Sequence, residues 1–271
     1  MATTAIAIVA IAYFLIRRGV DLKRLNKQQD ELKQLISATM PPADEEDGET
    51  EALETEQEDE SEPITYTMLS DYSALYAINN YLIGWLYIEG TVIDYPVVQT
   101  PEDEEMYLYL DFYGEHNTNG TLIMDTDSVV GVGTVEYDYQ DGASPSTNLI
   151  IHGHTMKSGK MFGNLSLYED EEYGTEHSVI CFDSLYEKRE YELIAVFYSQ
   201  VYYPEDEVFK YYKFFQADAQ DEFDYWYENI KALSMYDTGV AAEFGDEFIT
   251  LSCCAYHVED GRFVVVGKRI S

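Results

Sequence analysis

Cysteine and histidine are the residue types here that could carry covalent chemistry, and both are scarce. Among 271 residues there are three cysteines, Cys181, Cys253 and Cys254, and five histidines. A thiol becomes a nucleophile when a neighbouring base takes its proton, and a histidine distant in sequence can supply that base once the fold brings the two together. Cys254 closes the apolar run EFITLSC, just before the chain turns polar in AYHVEDG, so its thiol sits at a strand end that can face a cleft. Adjacent strand residues point to opposite faces, so Cys253 and Cys254 diverge, one toward the core. Both could instead be small buried hydrophobes, the commonest fate of a free cysteine.

His152 and His154 lie two apart in TNLIIHGHTM and share a strand face, with Gly153 between them permitting close approach. Arg262 follows Cys254 by eight residues and opens the run RFVVVGKRI. It could supply positive charge where an oxyanion develops, or form a surface salt bridge with Glu259 or Asp260. Ser252 shares the face of Cys254 by period two and could hydrogen-bond substrate; neighbouring backbone could equally satisfy its hydroxyl. A zinc reading competes, because His152, His154, Cys253, Cys254 and His257 offer nitrogen and sulfur ligands, although their spacing matches no standard zinc motif. His116, His177 and Cys181 receive no role.

The elements that must position these residues are mainly strands. TVIDYPVVQ, GTLIMD, TNLIIHGH, SVICFDS, EYELIAVFYSQVYY, EFITLSCCAY and RFVVVGKRI are β-branched and aromatic runs bounded by Gly, Asp, Asn or Pro. Seven or so strands predict a β-barrel or sandwich. Two helices are expected beside them: Tyr72 to Trp85, and Ala217 to Met235 with Phe223, Trp226, Tyr227, Ile230 and Leu233 on one face. The second is an insertion ahead of the strand that ends in Cys254. No GxGxxG, Walker loop or CxxC pair is present, so nucleotide cofactors have no foothold.

Upstream, the uncharged run ATTAIAIVAIAYFLI places a short membrane anchor over residues 1–16, cut short at its start, with Arg17 and Arg18 behind it. A cleaved signal peptide is the alternative, but a charged n-region and a small-residue cleavage site are both missing. Leu22, Leu25, Leu32 and Ile36 recur at helical spacing, with Gln29 interrupting the seam, and predict an amphipathic stalk helix over 17–42, ended by Met40-Pro41-Pro42. Residues 43–65 are expected to form an acidic, disordered linker, leaving 66–271 as the folded domain. Twelve acids fall between Asp44 and Glu62; removing them from the net charge of −36 still leaves −24. Nucleic acid is therefore not an expected partner, because phosphate binding needs a basic surface.

From about Leu75 to the end, five stretches occur in the order found in class B sortases, the cysteine transpeptidases of Gram-positive cell surfaces. They are NNYLIGWLYIEGTVIDYPVVQ, YLYLDFYGEHNTNGTLIMD, TNLIIHGHTMKSGKMFGNL, TLSCCAY and GRFVVVGKRI, and the chain resembles that family through them. The resemblance implies a mainly β fold: a closed sortase-type barrel of about eight strands, with an N-terminal helix and a long helix inserted before the nucleophile strand. It also implies that Cys254 is the nucleophile, His154 the general acid/base and Arg262 the oxyanion and substrate stabiliser, with no acid as a further member. The family usually has Thr where this chain has Cys253, which leaves that thiol either a silent core residue or a second, oxidisable one.

The implied reaction is cleavage of a C-terminal sorting signal of NPxTG or NPQTN kind after Thr, through an acyl thioester, and transfer to a peptidoglycan amine. The implied partners are sorting-signal-bearing secreted proteins, a peptidoglycan precursor or cross-bridge amine, and the membrane through residues 1–16, with the catalytic domain on the extracellular face. No metal or organic cofactor is called for. A pilin-polymerising sortase and a non-catalytic surface binding module on the same barrel are the alternatives.

Overall fold

All seven β-branched runs form strands in the computed structural model, which describes residues 2–39, 66–132 and 144–271. They are β2 (Asp94–Val98), β3 (Leu122–Met124), β4 (Asn148–Gly153), β5 (Val179–Ser184), β6 (Glu190–Gln200), β7 (Phe248–Cys254) and β8 (Gly261–Arg269). An eighth, β1 (Leu82–Tyr87), completes a closed barrel in the order β1-β2-β3-β4-β7-β8-β6-β5. The pairs β2–β3 and β4–β7 are parallel and the other pairings antiparallel. Closure removes the free edges that would otherwise offer unpaired backbone to other chains.

Strand β1 lies where a helix to Trp85 was expected. The first domain helix, α2 (Ser70–Ile78), stops instead at Asn79, whose backbone is extended (φ −140°, ψ 106°). The buried Asn79 side chain donates to the Tyr107 hydroxyl (3.0 Å) and the Phe112 carbonyl (2.9 Å), and accepts from the Tyr81 amide (3.0 Å). An asparagine that satisfies neighbouring backbone in this way competes with helix continuation. Ile83 and Leu86 are then buried in the barrel, Leu82 and Trp85 are buried beside Tyr72 and Leu75 of α2, and Trp85 Nε1 donates to Asp94 (2.7 Å).

The interior is built from both ends of the chain: Ile83, Leu86, Val97, Leu122, Leu149, Ile151, Phe182, Ile249, Leu251 and Val265 converge in one cluster. Outside it, beyond the short helix α3 (Glu171–Glu176), α4 (Gln220–Leu233) lays Phe223, Trp226 and Ile230 over Ile194, Phe197, Phe248, Val264 and Val266. Strands β6, β7 and β8 are therefore buried on both faces, which is why their sequences run apolar without alternation. Of the face expected for α4, Tyr227 is half-buried and Leu233 is exposed.

The N-terminal segment is one helix, α1 (Ala2–Thr39), and it differs from a free stalk. Asp21, Leu25, Gln28 and Leu32 fall on one face and are buried against the domain. Gln28 donates to Asp111 (2.8 Å), Gln29 to the Asp94 carbonyl (2.9 Å), Arg24 pairs with Asp111 (3.1 Å), and Asp21 accepts from the Thr118 hydroxyl (2.8 Å). Gln29, expected as an interruption of the seam, is thus with Gln28 one of its polar attachments, and burial of each leucine contributes about 2 kcal/mol. The anchor expected over residues 1–16 is not supported: no helix of the described residues is long and apolar enough to cross a membrane. The 43–65 linker and the Met40–Pro42 stop lie outside the described residues.

One buried carboxylate gives the fold a pH signature. Asp183 accepts a 2.6 Å hydrogen bond from Tyr72, and burial raises it above the ordinary carboxylate range despite that bond. The folded state then holds the proton more tightly than the unfolded chain. Its contribution to stability is fully present below the unfolded value of about 4 and is lost as pH rises through the folded one. Asp183→Asn keeps an oxygen acceptor for Tyr72 and removes the titration. Thermal melts should therefore show the variant gaining Tm relative to wild type as pH is raised from 4 to 7, whereas a constant offset across that range would contradict the assignment.

Candidate active site

Parallel pairing of β4 with β7 brings the histidine and cysteine segments to the same end of the barrel. The register runs from Asn148↔Phe248 to His152↔Ser252 and Gly153↔Cys253, so His154 and Cys254 are the next residues on their two strands. On the other side of β7, antiparallel β8 returns with Arg262 directly opposite Cys254. Residues opposite one another in an antiparallel pair share a face. His154, Cys254 and Arg262 accordingly line one cleft of about 260 Å³, together with His152, Ser252, Glu104 and Leu108.

The two adjacent cysteines diverge as alternation requires. Cys254 is exposed, whereas Cys253 is buried in the barrel core beside Phe263. Burial pushes the Cys253 thiol up to about 11, against smaller opposing effects of Thr155 and Arg262. The third thiol, Cys181, is also buried, and desolvation raises it. Gly153 allows the close approach expected of it, because a Cβ there would lie 2.5 Å from the Phe162 ring.

His154 is held by a backbone group. Its Nε2 lies 2.7 Å from the Leu108 carbonyl oxygen, and the Tyr109 ring packs beside it with centroids 5.6 Å apart. His152, two residues earlier, has a different partner, the Asp125 carboxylate at 3.0 Å, with Glu104 at 3.9 Å. Burial, and secondarily the charge of Asp125, raise Glu104 above the usual carboxylate range.

The ligand set of the zinc reading is not assembled. Among the described residues, the group bringing three metal-capable side chains within 4.8 Å of one another is Glu104, Asp125 and His152. His257 packs on Tyr198 instead, with centroids 4.4 Å apart.

Arg262 donates through Nη1 to the carbonyls of Asp260 (3.2 Å) and Gly261 (3.0 Å), and among the described residues it forms no ion pair with Glu259 or Asp260. Its guanidinium is thus oriented by neutral acceptors. Ser252 is satisfied by a side chain and not by neighbouring backbone, since the Tyr211 hydroxyl lies 2.7 Å from its Oγ in a fully buried pair. Sequence reasoning missed Tyr211, Glu104, Asp125 and the Leu108 carbonyl. The first three carry no pattern linking them to Cys254, and a carbonyl has no sequence signature at all.

No family model matches the chain. Among characterised proteins, it is 29% identical over 201 residues to sortase B of Listeria monocytogenes, spanning 73% of both chains. It is also 29% identical over 203 residues to sortase B of Staphylococcus aureus, covering 73% of this chain and 74% of that one. The structure matches sortase B of Bacillus anthracis with a TM-score of 0.68 at 26% identity, over 93% of this chain and 99% of the other. A closed eight-stranded barrel with a helix packed outside the cysteine strand, and a cysteine, a histidine and an arginine gathered at one end, agrees with that likeness along nearly the whole chain: this protein is similar to the class B sortases, the cysteine transpeptidases.

Proposed function

We propose that this sortase cleaves a C-terminal sorting signal of NPxTG or NPQTN kind after its Thr, with Cys254 as nucleophile, His154 as general acid/base and Arg262 as oxyanion and substrate stabiliser. The observation that carries the assignment is the double register of β7, which sets Cys254 opposite Arg262 on one side and next to the end of the His154 strand on the other. The Cys254 thiol gives its proton to His154, and the thiolate attacks the Thr carbonyl carbon. Arg262 draws the oxyanion's charge in the tetrahedral intermediate. As that intermediate collapses, the C–N bond breaks and His154 returns the proton to the departing amine, leaving an acyl thioester on Cys254.

A peptidoglycan amine then attacks the thioester, His154 accepting its proton and passing it to the leaving thiolate. A new amide joins the surface protein to the wall, and the enzyme is restored. Ser252, the substrate-binding candidate, lies on the same face, with its buried hydroxyl held by Tyr211. The residue ranges follow the same reading: 66–271 is the catalytic domain, and the exposed apolar side chains Ile11, Phe14, Leu15 and Ile16 of α1 face the outer membrane surface. Residues 43–65 serve as an acidic spacer.

Two measurements test this. Intact mass spectrometry of the full chain mixed with a panel of sorting peptides should reveal an acyl adduct that maps to Cys254 and is absent in Cys254→Ala with the circular-dichroism spectrum unchanged. An adduct that survives Cys254→Ala and vanishes in Cys253→Ala would remove Cys254 from the mechanism. Iodoacetamide under native conditions should label Cys254 at least about tenfold faster than Cys181 or Cys253, because the thiolate is the reactive form and both other thiols are buried and raised. Equal labelling of Cys253 would contradict its placement in the core.

A further inference from the structure

The family likeness explains why a histidine stands near Cys254, but it does not say what orients the ring when no carboxylate has been assigned to it. We propose that the Leu108 carbonyl holds His154 as its Nε2–H tautomer, and that Gly120 is the positioning residue that keeps this carbonyl in place. The inference rests on the reading of His154 as the general acid/base.

A carbonyl oxygen can only accept, so the 2.7 Å contact requires the proton to be on Nε2. The lone pair of the neutral ring is then on Nδ1, and Nδ1 is the atom that takes the Cys254 proton and later gives it to the leaving amine. Each turnover returns the same tautomer, because the proton that enters at Nδ1 also leaves from Nδ1, and the Nε2 proton never moves.

The carbonyl is well suited to this task because its neighbours cannot shift. The Tyr107 carbonyl accepts from the Thr121 amide (3.1 Å) and the Tyr109 carbonyl from the Asn117 amide (2.9 Å), so the peptide groups before and after the one that carries the Leu108 carbonyl are both pinned to the segment 117–121. That segment is tied in turn to α1, through Asn117 Nδ2 to the Asp21 carbonyl (3.3 Å) and the Thr118 hydroxyl to the Asp21 carboxylate (2.8 Å). Gly120 sits directly against the Leu108 peptide with φ +64°. A Cβ at this position would overlap the Leu108 oxygen and stand 2.9 Å from the Tyr107 oxygen, both backbone atoms that no rotamer change can move aside. Position 120 therefore requires glycine for two reasons, and the atom that a side chain would displace is the one that holds His154.

The test is nuclear magnetic resonance on the full-length, histidine-labelled protein, with His154→Ala used to assign the signal, because His152 also places its Nε2 against an acceptor. At a pH where the ring is neutral, wild type should show His154 protonated at Nε2 and unprotonated at Nδ1, with an Hε2 resonance protected from solvent exchange. Gly120→Ala should lose that protected resonance and lower kcat for transpeptidation about tenfold while KM stays within about twofold, the pattern of a group acting in the transition state alone. A wild-type His154 protonated at Nδ1 overturns the proposal, and so does a Gly120→Ala protein with the Hε2 signal and kcat intact. If Gly120→Ala does not fold, the wild-type tautomer alone decides. Retained transpeptidation in His154→Ala would instead defeat the underlying functional reading, whatever the tautomer.

Discussion

Everything at the cleft depends on the parallel pairing of two strands whose partnered residues lie 100 positions apart. Parallel strands present the same end together, so β4 and β7 deliver the residues that follow Gly153 and Cys253 to one rim. A slip of one residue in β7 would turn Ser252 and Cys254 into the barrel and Cys253 out of it, because alternation has period two. Buried polar groups hold the register against that slip. Thr250 donates to Asn148 across the two strands (2.8 Å), Asn148 donates to the Phe214 carbonyl (2.9 Å), and the Phe248 amide donates to the Thr147 carbonyl (2.7 Å). A slip would leave these groups unpaired in the interior, at about 1 to 3 kcal/mol for each.

The insertion helix stabilises the same strands from outside. Phe214 stacks on Trp226 with centroids 4.5 Å apart, and Trp226 meets Phe248 edge-on at 4.8 Å. Phe248 is the first residue of β7, so the aromatic layer under α4 grips the strand that carries Cys254 at its far end. The segment 211–216 that leads into α4 also supplies Tyr211 to Ser252, the Phe214 carbonyl to Asn148 and the Phe215 carbonyl to the Asn148 amide. The insertion is therefore part of the frame of the cleft as well as a cover for its back.

Seven of eight strands were legible because continuous β-branched runs between turn residues leave few alternatives. The eighth, β1, was read as helix: its run LIGWLY has no period of its own, and the side-chain bonds of Asn79 that stop α2 reach residues about 30 positions away. Cys254, His154, Arg262 and Ser252 were picked out from strand ends and alternation, and the topology brings all four to one cleft. The docking of α1 was not legible, since its partners Asp111, Asn117 and Thr118 lie more than 80 residues downstream and nothing in the helix marks its glutamines as attachments. The salt-bridge alternative for Arg262 failed for a local reason: its neighbours offer it their carbonyls and not their carboxylates.

That difference between carbonyl and carboxylate bears on how so acidic a chain can stabilise an oxyanion. A carboxylate placed to orient His154 would stand near the developing charge. At roughly 6 Å and an effective dielectric constant of about 20, it would oppose that charge by about 3 kcal/mol, enough to cancel much of what one oxyanion donor contributes. The structure instead gives the carboxylate to His152, through Asp125, and the neutral Leu108 carbonyl to His154. Arg262 is likewise oriented by neutral acceptors, and among the described residues it forms no ion pair with Glu259 or Asp260, while Glu104 and Glu105 line the same cleft. On the proposed mechanism, the cleft of a chain with net charge −36 keeps its one strand-opening cation available to the oxyanion by using backbone dipoles where other proteins use acids.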